Sequence, residues 1–299
     1  MGGCPQHAHQ ASLSVWSPRE ADERPRACGD LREQRILRAM THAFDGCRVK
    51  LARADHHLED LEARARAFYA TNPYTTSVHH DHETSEFRIT LERSEQPPLE
   101  WGAIVGEVLY NLRSALDHLA WELARLDSGR EPPSNTEFPI FKDRGRFERE
   151  GTKRIEALSP AHQALIEGLQ PYNRSDPASD PLWLLYSLRN IDQHRTLHVV
   201  AAVMSKNSLG IVTMTGYEIH NMTVASSTEA GANIVTAKLV RTLPAHLTQL
   251  HMKHDIGVEI RLREGLGDRQ VLQVLDEIRK AVHQNVFPKF KDEIGLLPE

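Results

Sequence analysis

Two apolar, helix-patterned stretches of this 299-residue chain each hold an arginine with four residues between it and a histidine. One is Arg113-Ser-Ala-Leu-Asp-His118 and the other is Arg189-Asn-Ile-Asp-Gln-His194. Arginine stabilises developing negative charge and histidine moves a proton, so the two together can act on a phosphodiester without a metal. Residues five apart on a helix point about 140° from each other. Convergence on one phosphate therefore needs long side chains, an unwound turn, or a second helix or subunit. The plainer reading is ion pairing: Arg113 with Asp117 four residues on, and Arg189 with Asp192 three residues on. His118 and His194 would then be hydrogen-bonded helix histidines.

A second chemistry is metal binding. His194 and His198 stand four apart and would share a face if the helix runs that far, a spacing used by zinc and iron sites. Asp117, His118 and Asp192 could add ligands if the two helices pack together. Arg195 stands where a zincin carries glutamate, and a cation beside a metal is unfavourable. The clusters His56-His57 and His79-His80-Asp81-His82 have no partner fixed by spacing, and 17 histidines make some adjacency a matter of chance. No nucleophile elbow, Walker loop or dinucleotide fingerprint is present, and Gly265-Leu-Gly267 reads as a plain β-to-α turn. No cofactor is expected.

The elements that must hold these residues follow from periodicity. Residues 31–70 read as a long charged helix with a weak point at Gly46, ending before Asn72-Pro73. Residues 85–93 alternate as a half-buried strand, with the histidine cluster upstream in a hairpin partner or turn. The strongest helix spans 99–126. Trp101, Val105, Val108, Leu112, Leu116, Leu119, Leu123 and Leu126 make its apolar stripe, and Glu107, Asn111, Ser114 and His118 make a separate polar one. Such a stripe usually fixes helix packing. Trp101, Trp121 and Trp183 belong to helical stripes and read as core. Phe138-Pro-Ile-Phe141 is an apolar loop segment, followed by short helices at 144–150, 151–158 and 160–169. Asp180-Pro181 is a helix start, with an acceptor at the cap and proline at the first turn. Beyond His198 the chain turns β-rich, at 199–203, 210–215, 222–225, 234–240 and 256–262. A final amphipathic helix over 268–285 stops near Pro288.

Together these predict an α+β fold: mainly a helical bundle, with a small antiparallel sheet and a C-terminal helix. Residues 1–29 read as a disordered leader, with Met40 a candidate later start. Residues 30–198 form a helical region with one inserted strand or hairpin. Residues 199–299 form a β-meander and terminal helix packed into the same unit, and the strand at 85–93 is free to join the later sheet. A net charge of −5 gives no global pull towards nucleic acid or anionic lipid. Cys4, Cys28 and Cys47 make no CxxC pair, which fits a reducing cytoplasm. No apolar run reaches the roughly 18–20 residues that would span a bilayer.

Arg189-Asn190-Ile-Asp-Gln-His194 resembles the arginine–polar–spacer–histidine signature of the HEPN superfamily. These are compact helical domains, many of them metal-independent RNases of toxin–antitoxin and phage-defence systems. The resemblance implies Arg189 as phosphate clamp, His194 as general base or acid, and Asn190 as positioning residue. It also implies RNA as partner and a homodimer that brings two motifs together. Arg113, Asp117 and His118 would be second contributors. The similarity covers 31–70, 97–126 and 180–198, and the segments NLRSALDHLAW, EFPIF and SLRNIDQHR also resemble stretches of bacterial proteins of unassigned function. The competing expectations are a non-catalytic helical binding or scaffolding module, and a metal site of Asp117, His118, Asp192, His194 and His198.

Overall fold

The computed structural model describes residues 44–81, 83–195, 197–203, 212–225, 229–244, 249–252, 258–262 and 269–295. All lie in one of the chain's two compact units, Met40–Glu299. The leader at 1–29, the first part of the 31–70 helix and the Gly265–Gly267 turn fall outside the described residues.

Two long helices form the frame. Helix α1 (Asp45–Ala70) buries Cys47, Leu51, Ala54, Leu58, Leu61 and Ala65, a step of three or four that keeps one face inward. It ends where Asn72 takes a positive φ before Pro73. Helix α2 (Glu100–Ser128) buries the expected stripe from Trp101 to Leu123, while Leu126 stays 39% exposed. The helix runs through the expected 127–129 turn to Ser128 and is closed by Gly129 at φ 66°, the left-handed cap that glycine favours. The pair is antiparallel and stays in step. His118 lies over Gly46, His57 pairs with Glu107 at 3.1 Å, and Arg64 pairs with Glu100 at 2.7 Å. Equal steps along α1 and α2 separate these contacts, so the expected polar stripe of α2 is the rim of its seam with α1.

Between the two helices stand β1 (Tyr74–Asp81) and β2 (Glu86–Ser94), the hairpin anticipated around the histidine cluster. After α2, the 138–141 loop is buried at Phe138, Ile140 and Phe141. A helical segment α3 (144–154) follows, whose middle turn, Phe147–Gly151, is π-helical. Gly151 makes room there, because a Cβ on it would sit 2.6 Å from the Phe147 ring and 3.1 Å from the Phe141 ring. Helix α4 (Pro160–Gly168) leads to α5 (Pro181–His194).

The β-rich third is not a meander. Strands β3 (Val199–Val203), β4 (Val212–Thr215) and β5 (Tyr217–Val224) pair antiparallel with β8 (Val258–Leu262), β7 (Gln249–Met252) and β6 (Asn233–Arg241) respectively. The pairings are nested, β5 with β6 inside β4 with β7 inside β3 with β8, in three separate sheets. A meander would have paired each strand with its sequence neighbour. Strand β2 joins the outer edge of β6, giving a four-stranded sheet in the order β1-β2-β6-β5. Phe87, Ile89 and Leu91 from β2 meet Ile234, Val235, Ala237 and Leu239 from β6 in a second, smaller core.

Helix α6 (Val271–Lys280) closes the main core with Val274, Leu275 and Ile278. It does not stop before Pro288. A π turn (Ala281–Val286) and a 3₁₀ turn (Phe287–Phe290) carry the chain into α7 (Lys291–Ile294). Pro288 sits in the first turn of the 3₁₀ stretch, where its missing N–H leaves no bond unmade. The protein is thus α+β, with a helical bundle, a small antiparallel sheet and a C-terminal helix. Among the described residues no helix is long and apolar enough to cross a membrane.

Candidate functional site

Helix α5 begins as its sequence dictates. The Asp180 carboxylate accepts from the N–H groups of Leu182 and Trp183, and Pro181 occupies the first helical position. Leu182, Leu184, Leu185 and Leu188 are buried. This leaves Arg189 and Asn190 half-buried at the margin of the apolar face, and His194 exposed on the last helical residue. The Nε of Arg189 is buried and has no hydrogen-bond partner among the described residues. The expected pairing with Asp192 is only a longer-range attraction. Burial raises the Asp192 carboxyl above its ordinary range, and the charge of Arg189 pulls it partly back. The Asp192 carboxylate lies against α2 at Gly106, where both of its oxygens would be 2.6 Å from a Cβ. Gly106 therefore sets how closely α5 approaches α2.

The helix does not reach His198. Arg195 turns extended, at φ −163° and ψ 148°, to feed β3, and Leu197 two residues on is fully buried. His194 and His198 thus share no helical face, because the strand that follows claims the backbone. Among the described residues no group of three or more His, Cys, Asp or Glu is arranged to hold a metal ion. The set Asp117, His118, Asp192, His194 and His198 is not assembled.

The first motif goes to a different end. Arg113 is 6% exposed and grips Asp117 with two nitrogens, Nε to Oδ2 at 3.1 Å and Nη2 to Oδ1 at 2.8 Å. Asp117 Oδ1 also accepts the backbone N–H of Phe138 at 3.1 Å. Burial pushes the Asp117 carboxyl above its usual range, against the pull of Arg113 and of that N–H. The plainer reading fits this pair: it ties the 138–141 loop to α2. Its histidine faces elsewhere, with Nδ1 of His118 over Gly46 of α1. Arg113 and His118 are therefore held apart by different neighbours. Asp192 meets α2 at Gly106, twelve residues from His118, or about 18 Å at 1.5 Å per residue. His118 and Asp192 are therefore far apart along α2. Two cavities, of about 380 and 620 Å³, open elsewhere, and neither is lined by Arg189, Asn190 or His194.

One arrangement carries no local signature in the sequence. His162 of α4 lies between two carboxylates, with Nδ1 2.7 Å from Asp127 Oδ2 and Nε2 3.1 Å from Glu293 Oε1. Burial pulls this imidazole down, but the hydrogen bonds and charges of Asp127 and Glu293 outweigh it and leave it above its ordinary value. Both ring nitrogens are occupied, and Ser159 Oγ accepts the His162 backbone N–H. Neither nitrogen is left to take a proton from a substrate, so the cluster is a clasp. Its members are 35 and 131 residues from His162, which no spacing rule connects.

Comparison of the chain with protein-family models, with curated proteins and with solved structures finds no match.

Proposed function

We propose that this chain is a cytoplasmic HEPN-like protein that binds RNA and cleaves it without a metal, acting as a homodimer. The observation that carries the reading is the state of Arg189. Arg189 is half-buried, its Nε is buried without a hydrogen-bond partner among the described residues, and an exposed histidine ends the same helix. An unmet buried donor costs about 1–3 kcal/mol. An anion that supplies the missing acceptor removes that cost. In the proposed reaction the RNA 2′-oxygen attacks the adjacent phosphorus and the bond to the 5′-oxygen breaks. His194 takes the 2′-hydroxyl proton, and the protonated His194 of a second copy delivers one to the leaving oxygen. Arg189 stabilises the charge on the phosphorus oxygens and Asn190 orients the phosphate. Two copies answer the angular problem, since Arg189 of one can face His194 of the other.

The test is incubation of the pure protein with RNA in EDTA. Cleavage to 2′,3′-cyclic phosphate ends is expected, falling by about 10²-fold or more in His194→Ala. Absence of cleavage, or equal cleavage by the variant, ends the proposal. One observation favours a second reading, a non-catalytic binding or scaffolding module. The Arg113 motif is already a packing device, and the Arg189 motif would be another. Arg189→Ala would then lower the melting temperature while RNA stays intact with the wild type as well.

A further inference from the structure

We infer that the 620 Å³ cleft between α3 and the 134–137 loop is a binding site for a phosphorylated sugar, free or as a mononucleotide. Its size lies within the range of about 300–1,000 Å³ common for small-molecule sites. Its charge is uneven once partners are assigned. Three carboxylates and three cations line it. Each carboxylate already has a guanidinium: Asp117 has Arg113, Glu137 has Arg154, and Glu150 has Arg146. Arg113 and Arg146 stand outside the lining, so Arg149 and Lys153 are left over. Both are exposed, and neither makes an ion pair among the described residues.

The backbone of α3 gathers these groups. Its π turn is marked by the Thr152 N–H bonding to the Phe147 carbonyl, five residues back. In such a turn the residue five ahead comes nearer round the helix axis than in an α-helix, where it diverges by about 140°. Arg149, just inside that turn, lines the cleft together with Lys153 and Arg154. Turns of this kind recur at functional sites. The opposite wall supplies neutral groups, Ser134, Asn135 and Thr136, and the Asn135 amide is fixed to α3 through the Lys153 carbonyl at 3.4 Å. Two unspent cations suit a phosphate. The carboxylates of Asp117 and Glu137, held by their arginines, suit sugar hydroxyls as acceptors. A ligand carrying only an anionic group would make no use of those carboxylates, and a neutral sugar would make no use of the two cations.

The inference is independent of Arg189 and His194, and the RNA assay has no part in its test. Calorimetric titration of the full chain with ribose 5-phosphate and with adenosine 5′-monophosphate is expected to show one site per chain for at least one of them. Which one binds separates a sugar phosphate from a nucleotide. Ribose alone gives no heat. The double variant Arg149→Ala/Lys153→Ala binds at least about tenfold more weakly, since two charge-assisted contacts are lost. Its melting temperature stays that of the wild type, because neither side chain holds the fold. Binding of neither phosphorylated probe at millimolar concentration, or equal binding by the double variant, overturns the assignment.

Discussion

Arg113 and Arg189 open two similar hexapeptides and meet different fates, and one position decides between them. Four residues after Arg113 stands Asp117, within reach of a two-pronged grip. Four residues after Arg189 stands Gln193, and the nearby Asp192 is turned onto Gly106 instead. The first arginine is ion-paired inside the molecule, with its Nη1 also buried and unpartnered among the described residues, whereas the second makes no ion pair among them. Arg113→Ala is therefore expected to leave Asp117 without its counter-charge behind the 138–141 loop. Breaking a buried pair by removing one partner costs about 3–5 kcal/mol. Asp117 is about one-third exposed, which places the loss near the lower end of that range. Urea unfolding of the variant against the wild type measures it.

At the level of elements, α3 shows how a small residue shapes a helix. Gly151 admits the rings of Phe141 and Phe147, which lie edge to face with centroids 6.2 Å apart. Gly151→Ala is expected to destabilise the fold by about 1–3 kcal/mol, the usual penalty of overpacking a filled core. Thermal unfolding reads that loss. Titration with the phosphorylated probes shows whether the π turn has moved. Local order was legible in the sequence wherever a rule acts over a few residues: the stripe of α2, the cap at Asp180, the strand at β2, the stop before Pro73. What was not legible is decided by distant partners. The nested pairing of β3 with β8 depends on residues some sixty positions away, so alternation located most of the strands but not their neighbours. β7 is a four-residue strand and too short to stand out. Whether α5 reaches His198 is open in the sequence, and β3 fixes that it ends at His194. Of the candidate site, the side-chain types and the Arg113–Asp117 spacing could be read, whereas the exposure of His194 and the unmet Nε of Arg189 come from packing.

For the whole molecule, His162 joins the end of α2, the start of α4 and the last helix through Asp127 and Glu293. Its imidazole is held above the ordinary value, so the folded state binds the proton more tightly than the unfolded chain. The clasp's contribution is complete below the unfolded value of about 6.5 and is lost as pH rises through the folded one. The melting temperature should therefore fall more steeply on the alkaline side for the wild type than for His162→Gln. Parallel melting curves for the two proteins across that range would show that the clasp does not titrate as described. The sheet carries a different consequence, one of timing. Thr90 on β2 bonds to Asn233 on β6, 143 positions later. At ribosomal speeds of about 5–20 residues per second, that edge of β2 waits roughly 7–30 s for its partner strand. A nascent chain thus carries an uncovered strand rim, open to foreign strands, while the next 143 residues are made. Chaperone binding during translation would bear first on that rim.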